Sequence, residues 1–248
     1  MLDKLKARLI APQVTTLIRF VLDECLPPIL RDQRWFYTPI IRLWSKNHDV
    51  DFKRNAPHMT LEQFQHAYEQ LMPMKRQTDM TPKTMAFVLN HLLGDTILEV
   101  GCGNGDMSIA CAEQGYHVLA TDLAEQNLQQ LRTRLGTSPL RLDTQVANIE
   151  QLPFDDNAFD VTLCLHTLEH VRDLCAAIAE LKRVTRKRLI VIVPRQRYYR
   201  YTCDYHLHFF RNPEQLLLAM NIPDARCECL DRALCYIGDL DSHAPSAG

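Results

Sequence analysis

From Thr81 onward, short apolar runs of strand length alternate with stretches of helical period, and this rhythm constrains the fold more than any other feature of the chain. Runs at 97–100, 117–121, 142–147, 159–165 and 189–193 predict five strands, with helices near 81–93, 106–114, 124–135 and 172–184. A parallel strand pair needs a crossover of a dozen or more residues, which these helices supply, so the sheet is predicted parallel with helices on both faces. After a helix at about 213–220, the runs 225–230 and 233–237 lie too close together for a crossover and predict an antiparallel hairpin. The fold class is therefore α/β, a doubly wound sheet of about seven strands, mostly parallel with a C-terminal antiparallel hairpin.

The residues before Thr81 follow a different pattern. Residues 1–60 hold ten Lys/Arg against six Asp/Glu, a net of +4, while the remainder holds 18 against 24, a net of −6. Apolar stretches at 14–26 and 29–44 have roughly helical spacing and are separated by Pro27-Pro28, which breaks any helix between them. Thr60 with Gln63 three positions on predicts a capped helix running to about Met72. The domain reading is a helical extension or lid over 1–80, a catalytic-sized domain over 81–240 and a disordered tail over 241–248. For the extension we weigh a lid over an acceptor pocket, an oligomer interface, a basic surface helix resting on an anionic membrane, and helices that merely complete the core. The lid is favoured because Trp35, Phe36, Tyr37, Arg31 and Arg34 would give it an apolar wall with cationic points.

Composition closes off several classes. The formal charge of −2 leaves no overall positive field for nonspecific nucleic-acid binding. Nine cysteines in 248 residues are too dilute and too odd in number for a disulfide scaffold, and the first residues carry no apolar signal-peptide core. No transmembrane segment is evident, so a cytoplasmic location is expected; the sequence leaves the oligomeric state open.

The chemistry concentrates where strand 97–100 runs into Gly101-Cys102-Gly103-Asn104-Gly105 and then into a helix. Gly101 and Gly103 let the backbone turn sharply and let a ligand lie against main-chain N–H groups. The third glycine falls at Gly105, and Asp106 stands where a dinucleotide fingerprint has its last glycine; its negative charge disfavours a pyrophosphate there. Asp122 ends the second strand, where a doubly wound fold places a carboxylate to accept ribose hydroxyl protons, although by itself it also reads as the N-cap of the next helix.

Three further segments, Ala147-Asn148-Ile149-Glu150-Gln151-Leu152-Pro153-Phe154, Asn157-Ala158-Phe159-Asp160-Val161 and Leu165-His166-Thr167-Leu168-Glu169-His170-Val171, complete a pattern that resembles the class I S-adenosylmethionine-dependent methyltransferases. The branch most like it is the small-molecule one that includes the ubiquinone and menaquinone biosynthesis enzymes. The likeness covers 98–194, with a weaker continuation into the His-rich stretch beyond. It implies a Rossmann-like fold and S-adenosyl-L-methionine as cofactor. By position it implies that Gly101, Cys102 and Gly103, with Gly105 closing the turn, line the methionine part of the cofactor and that Glu99 supports the loop. It places the ribose on Asp122, the adenine against Leu123, and Asn148 and Ile149 in the adenine site. The family usually has Asp at the position of Asn148, so the charge-assisted bond to the adenine amino group is missing here. Leu165 and His166 follow the fourth strand at the carboxyl edge of the sheet.

Methyl transfer from a sulfonium needs positioning and, for a protonated nucleophile, a base. His166 is the first candidate for that base and His170 the second, the latter equally readable as a packing or capping residue. Beyond the fifth strand, Arg195, Arg197, Arg200 and Tyr199 form a loop that should overhang the site and suits a carboxylate or phosphate on the acceptor. Lys182, Arg183, Arg186, Lys187 and Arg188 are read as preceding the strand and solvated. His206-Leu207-His208, Cys227, Cys229 and Cys235 match no zinc spacing, so no metal is expected. The reading is an enzyme that methylates an O or N atom of a small, in one version anionic, metabolite. Its alternatives are an RNA or protein methyltransferase and a non-catalytic binding module. The stretch Leu165-His166-Thr167-Leu168 lacks the Pro-Pro-aromatic and Pro-Cys signatures of nucleobase chemistry.

Overall fold

In a computed structural model of the chain, residues 21, 25–36, 38–39, 51–71, 80–200 and 205–240 are described. Besides short helical turns at Pro28–Arg31, Phe52–Asn55, Ala56–His58 and Leu168–His170, their elements are α1 (Leu61–Leu71), α2 (Pro82–Asn90), β1 (Thr96–Val100), α3 (Asp106–Glu113), β2 (His117–Asp122), α4 (Glu125–Leu135), β3 (Leu142–Val146), β4 (Phe159–Leu165), α5 (Leu174–Val184), β5 (Thr185–Pro194), α6 (Pro213–Met220), β6 (Arg226–Leu230) and β7 (Ala233–Asp239). The seven strands form one sheet in the order β3-β2-β1-β4-β5-β7-β6. Strands β1 to β5 are parallel, and β7 pairs antiparallel with both β5 and β6, as the spacing predicts.

Local chemistry sets the helix starts. Thr81 and Thr84 form a reciprocal capping box with Pro82 at the first turn of α2. Asp173 accepts from the Ala176 N–H to begin α5, and Asn212 accepts from the Gln215 N–H ahead of Pro213 in α6. The central strands are buried on both faces: one core cluster centres on Leu98, Leu168, Leu181, Leu189 and Tyr236, the other on Ile97, Leu163, Ile190 and Phe87.

The chain winds from β1 outward to β3 and then returns to place β4 on the other side of β1. This reversal opens a crevice beyond the carboxyl ends of β1 and β4. Residues 51–71 pack over that edge. Phe52, Ala56 and Phe64 bury together with Tyr205, and the Phe52 and Tyr205 rings stack with centroids 3.9 Å apart. Arg172 donates to the Met59 carbonyl at 3.1 Å, and Gln65 to the Leu123 carbonyl at 3.2 Å.

One sequence expectation needs correction. Strand β5 begins at Thr185, four residues earlier than its apolar stretch, so Arg186, Lys187 and Arg188 lie within it and are ion-paired. Arg186 and Lys187 both meet the buried Asp160, and Arg188 meets Asp239 in two bonds. Arg183, on α5, is held by Glu180 and Asp156. The paired strands set these charges opposite carboxylates, an effect invisible to hydropathy, although Arg186 stays exposed. No helix among the described residues is long and apolar enough to cross a membrane. The expected helix at 14–26 and the tail at 241–248 fall largely or wholly outside the described residues, as do Tyr37 and 40–44; the described part of 29–44 is helical at Pro28–Arg31 and again at 34–36.

Candidate active site

The carboxyl end of β1 is where backbone and side chains converge. The N–H groups of Gly101 and Cys102 both donate to the Thr121 carbonyl, at 2.8 and 2.9 Å, which folds the turn back against β2. Gly101 has φ +76, and a Cβ there would lie 2.2 Å from Thr167 Oγ1, so only glycine lets the ends of β1 and β4 approach so closely. Gly103, at φ +54, has nothing within 4 Å of where a Cβ would stand.

Asp122 governs this loop. Its Oδ2 accepts from the Gly103 N–H at 2.9 Å and its Oδ1 from the Ala124 N–H at 2.8 Å, so it combines the loop-holding and helix-starting roles. A carboxylate offers about four acceptor sites, so these amides do not exhaust its capacity to accept from hydroxyls. Behind it, Glu99 is fully buried and accepts a hydrogen bond from Ser108. Burial pushes its carboxyl up to about 7 against the Ser108 hydrogen bonds, with the neighbouring Asp122 and Asp106 charges adding to the rise. Burial also pushes the Cys102 thiol far above its ordinary value, which leaves this cysteine inert.

A cleft that opens to solvent lies over this edge; the space between its walls, open solvent included, is about 520 Å³. Val100, Gly101, Asp122, Leu123, Ala147, Asn148, Ile149 and Glu150 form one wall; Thr167, His170 and Val171 form another; Leu61 and Phe64 of α1 cover it. Five of the sequence candidates, Gly101, Asp122, Leu123, Asn148 and Ile149, thus share one wall. Glu99, Cys102, Gly103, Gly105 and Leu165 are outside the lining and stand behind or beside it. Asn148 Oδ1 accepts from the Glu150 N–H at 3.0 Å, and Glu150 in turn holds the Arg172 and Asp173 amides and the Arg172 guanidinium. The wall is therefore rigid.

The histidines divide. His170 lines the cavity, whereas His166 does not; its φ is +53, unusual for a residue with a Cβ, and its Nδ1 stands 3.6 Å from Glu169 Oε1. Residues 168–170 form a single 3-10 turn, so the two histidines do not repeat along an α-helix face. None of Arg195, Tyr199, Arg197 and Arg200 lines the cavity. Tyr199 is buried, and its carbonyl accepts from Lys53 Nζ at 2.8 Å. Lys53 itself sits over the Tyr198 and Phe209 rings at 3.6 and 4.0 Å, and burial brings its ammonium down to about 7 against the pull of Asp32. Sequence reasoning missed Lys53, Leu61 and Phe64. The cap at Thr60 marked the helix of Leu61 and Phe64, but nothing local said which face of the sheet it would cover; Lys53 lies in a separate four-residue helix, Phe52–Asn55.

Residues 98–193 match a family model described as a methyltransferase domain. A ubiquinone biosynthesis O-methyltransferase of Idiomarina loihiensis is 43% identical over 98 residues, 38% of this chain and 40% of that protein. One from Xylella fastidiosa is 35% identical over 109 residues, 43% of this chain and 44% of that protein. The matches thus span about two fifths of the length of these relatives. Among solved structures, a SAM-dependent methyltransferase of Methanosarcina mazei superposes with a TM-score of 0.52 at 20% identity, over 65% of this chain and 98% of that one. The [4+2]-cyclase SpnF superposes with a TM-score of 0.55 at 18% identity, over 68% of this chain and 75% of that one. Residues 98–193 are thus similar to a methyltransferase domain, and the sheet that contains them has the fold seen in S-adenosylmethionine-dependent methyltransferases.

Proposed function

We propose that the protein transfers a methyl group from S-adenosylmethionine to an oxygen or nitrogen of a small metabolite. The observation that carries this reading is the cavity wall itself, where Gly101 and Asp122 from the ends of β1 and β2 face the same space as Leu123, Asn148 and Ile149. The residues present fit the cofactor. Asp122 can accept from a sugar diol, Leu123 and Ile149 offer apolar contact to a planar base, and the space before the Gly103 Cα is clear of protein. When bound, S-adenosylmethionine supplies a methyl group already activated on a sulfonium sulfur.

The chain's own residues bind, orient and exclude water. Asp122 fixes the ribose end, Glu99 holds the glycine loop through its neighbours, and Leu61 with Phe64 covers part of the cleft and so limits water beside the methyl group. An acceptor hydroxyl must give up its proton as its bond to carbon forms, and an ammonium must do so before attack; in this reading His170, the candidate that lines the cavity, takes it, and His166, the first choice from the sequence, stands outside the lining. Anion recognition by Arg195, Arg197 or Arg200, with Tyr199 backing the loop, remains part of the proposal for acceptors bearing a carboxylate or phosphate.

The roof formed by α1 favours a small acceptor over RNA or protein, which would need an open groove. The relatives named above as ubiquinone O-methyltransferases support a small-molecule acceptor and make oxygen the first atom to test. Calorimetry with S-adenosylmethionine and S-adenosylhomocysteine is the decisive experiment: both should bind, one per chain. A chain that binds neither is a non-catalytic module. Transfer of labelled methyl into small phenols, but not into total RNA or protein, would separate the remaining readings.

A further inference from the structure

We propose that Arg134, near the end of α4, is a positioning residue for the cofactor. It holds the far side of the glycine turn, so that Gly101, Cys102 and Gly103 keep the shape that receives the methionine end of S-adenosylmethionine. The inference rests on the methyltransferase reading and deepens it. Neither Arg134 nor the two residues it holds, Asn104 and Asp106, line the cleft, so it acts through the loop and not on the ligand.

The guanidinium spans Gly105. One of its amino groups donates to the Asn104 carbonyl and the other to Asp106 Oδ1 at 2.8 Å, while Asp106 Oδ2 accepts from Asn104 Nδ2 at 2.9 Å. Three positions earlier, on the same face of α4, the fully buried Leu131 packs directly on the turn. Gly105 has φ +77, and a Cβ there would stand 2.5 Å from Leu131 Cδ1. The demand for glycine at 105 thus comes from the seating of α4, whereas the space before Gly103 is clear.

The loop therefore hangs from β2 and α4 at three points. The Thr121 carbonyl holds the Gly101 and Cys102 amides, Asp122 holds the Gly103 amide, and Arg134 holds the stretch from Asn104 to Asp106 that leads into α3. Charge gives the third point a second purpose. Burial is the main cause of the raised Glu99 carboxyl, and the Asp122 and Asp106 charges add to it, so three carboxyl groups crowd behind the turn and Arg134 sets a cation against the outermost. The pair is partly exposed, 43% for Arg134 and 28% for Asp106, so it contributes little to global stability. What the planar fork supplies is geometry, because two parallel donors fix a carbonyl and a carboxylate at once, which a single ammonium does not. A loop released at Asn104 and Asp106 loses its grip on the methionine end but leaves Leu123, Asn148 and Ile149 in place around the base.

The test compares two nucleosides on the full chain by calorimetry: S-adenosylhomocysteine, which carries the amino-acid end, and methylthioadenosine, which lacks it. Arg134→Ala is expected to weaken S-adenosylhomocysteine binding roughly tenfold and methylthioadenosine binding less than about twofold, whereas a general loss of structure moves both alike. Arg134→Lys, which keeps the charge without the fork, should recover part of the loss. Because part of the hold runs through Asp106, Arg134→Ala should cost less in an Asp106→Asn background than in the parent. Arg132→Ala removes an arginine of the same helix that bonds Glu125 and Thr144 instead, and it should bind both nucleosides as the parent does. If Arg134→Ala binds S-adenosylhomocysteine as tightly as the parent, loses the two nucleosides equally, or is matched by Arg132→Ala, the proposal is overturned and the methyltransferase reading stands. A parent chain that binds neither nucleoside overturns both.

Discussion

At the scale of single residues, Asp122 and Glu99 illustrate two ways of using a buried carboxylate. Asp122 is stabilised by backbone amides at both oxygens, and an Asn in its place keeps the size but removes the charge. Hydrogen bonds to a charged group are worth about 1.5–3 kcal/mol. Asp122→Asn is therefore expected to weaken S-adenosylmethionine binding ten- to hundredfold in calorimetry while far-ultraviolet circular dichroism is unchanged. Glu99 has the opposite problem. Burial raises its carboxyl to about 7, above the unfolded value near 4.5, so the folded state holds a proton that the unfolded state releases. Its contribution to stability is full below pH 4.5 and is lost as pH rises through 7, a change of roughly 3 kcal/mol. Urea unfolding at pH 5 and pH 8 should show Glu99→Gln gaining stability relative to the parent at the higher pH; an identical pH dependence in the two proteins would refute the assignment.

At the scale of elements, the 51–71 segment depends on tertiary contact. The helix α1 is 11 residues long, marginal for a helix on its own in water, and is held by Phe52, Phe64 and the Gln65 and Arg172 bonds. Removing a buried phenyl ring typically destabilises by about 3–5 kcal/mol. Phe52→Ala is expected to undock this segment, seen as faster hydrogen exchange across 51–71 with the amides of β1, β4 and β5 still protected. Because Leu61 and Phe64 roof the cavity, the same variant should weaken acceptor or cofactor binding without altering Asp122. Lys53 gives a second handle. Its amine ties this segment to the Tyr199 carbonyl, and its low value near 7 means that it loses charge within the neutral range.

At the scale of the whole molecule, Asp160 is the point where distant stretches of chain are joined. It accepts from the Asp95 amide at 2.8 Å and from the Thr96 amide at the foot of β1, and it pairs with Arg186 and Lys187 on β5. Burial alone would raise its carboxyl, but the Asp95 amide, Arg186, Lys187 and the Thr96 amide outweigh it and hold the group well below the usual carboxylate range. Stability from this group is present above the ordinary pKa and lost as pH falls toward the lowered folded value. Asp160→Ala is expected to lower global stability by roughly 3 kcal/mol at neutral pH, with a smaller deficit in strong acid, measured by urea unfolding. A constant deficit across that range would exclude the ion-pair explanation.

Strand existence, the parallel-then-antiparallel order and the glycine turn with Asp122 were legible in the chain because each rests on local periodicity or on residues close in sequence. Asn148 and Ile149 were legible only through the family resemblance. The apolar stretch at 189–193 hid the true start of β5, since Arg186 to Arg188 look like solvent-facing charge until Asp160 and Asp239 stand opposite them. The sequence by itself thus determined the wound sheet and the edge at which a ligand would sit. Only the tertiary structure decided which helix covers that edge and that His206 meets Glu169 and His170, because these contacts join residues 36 or more positions apart whose pairing no local pattern encodes.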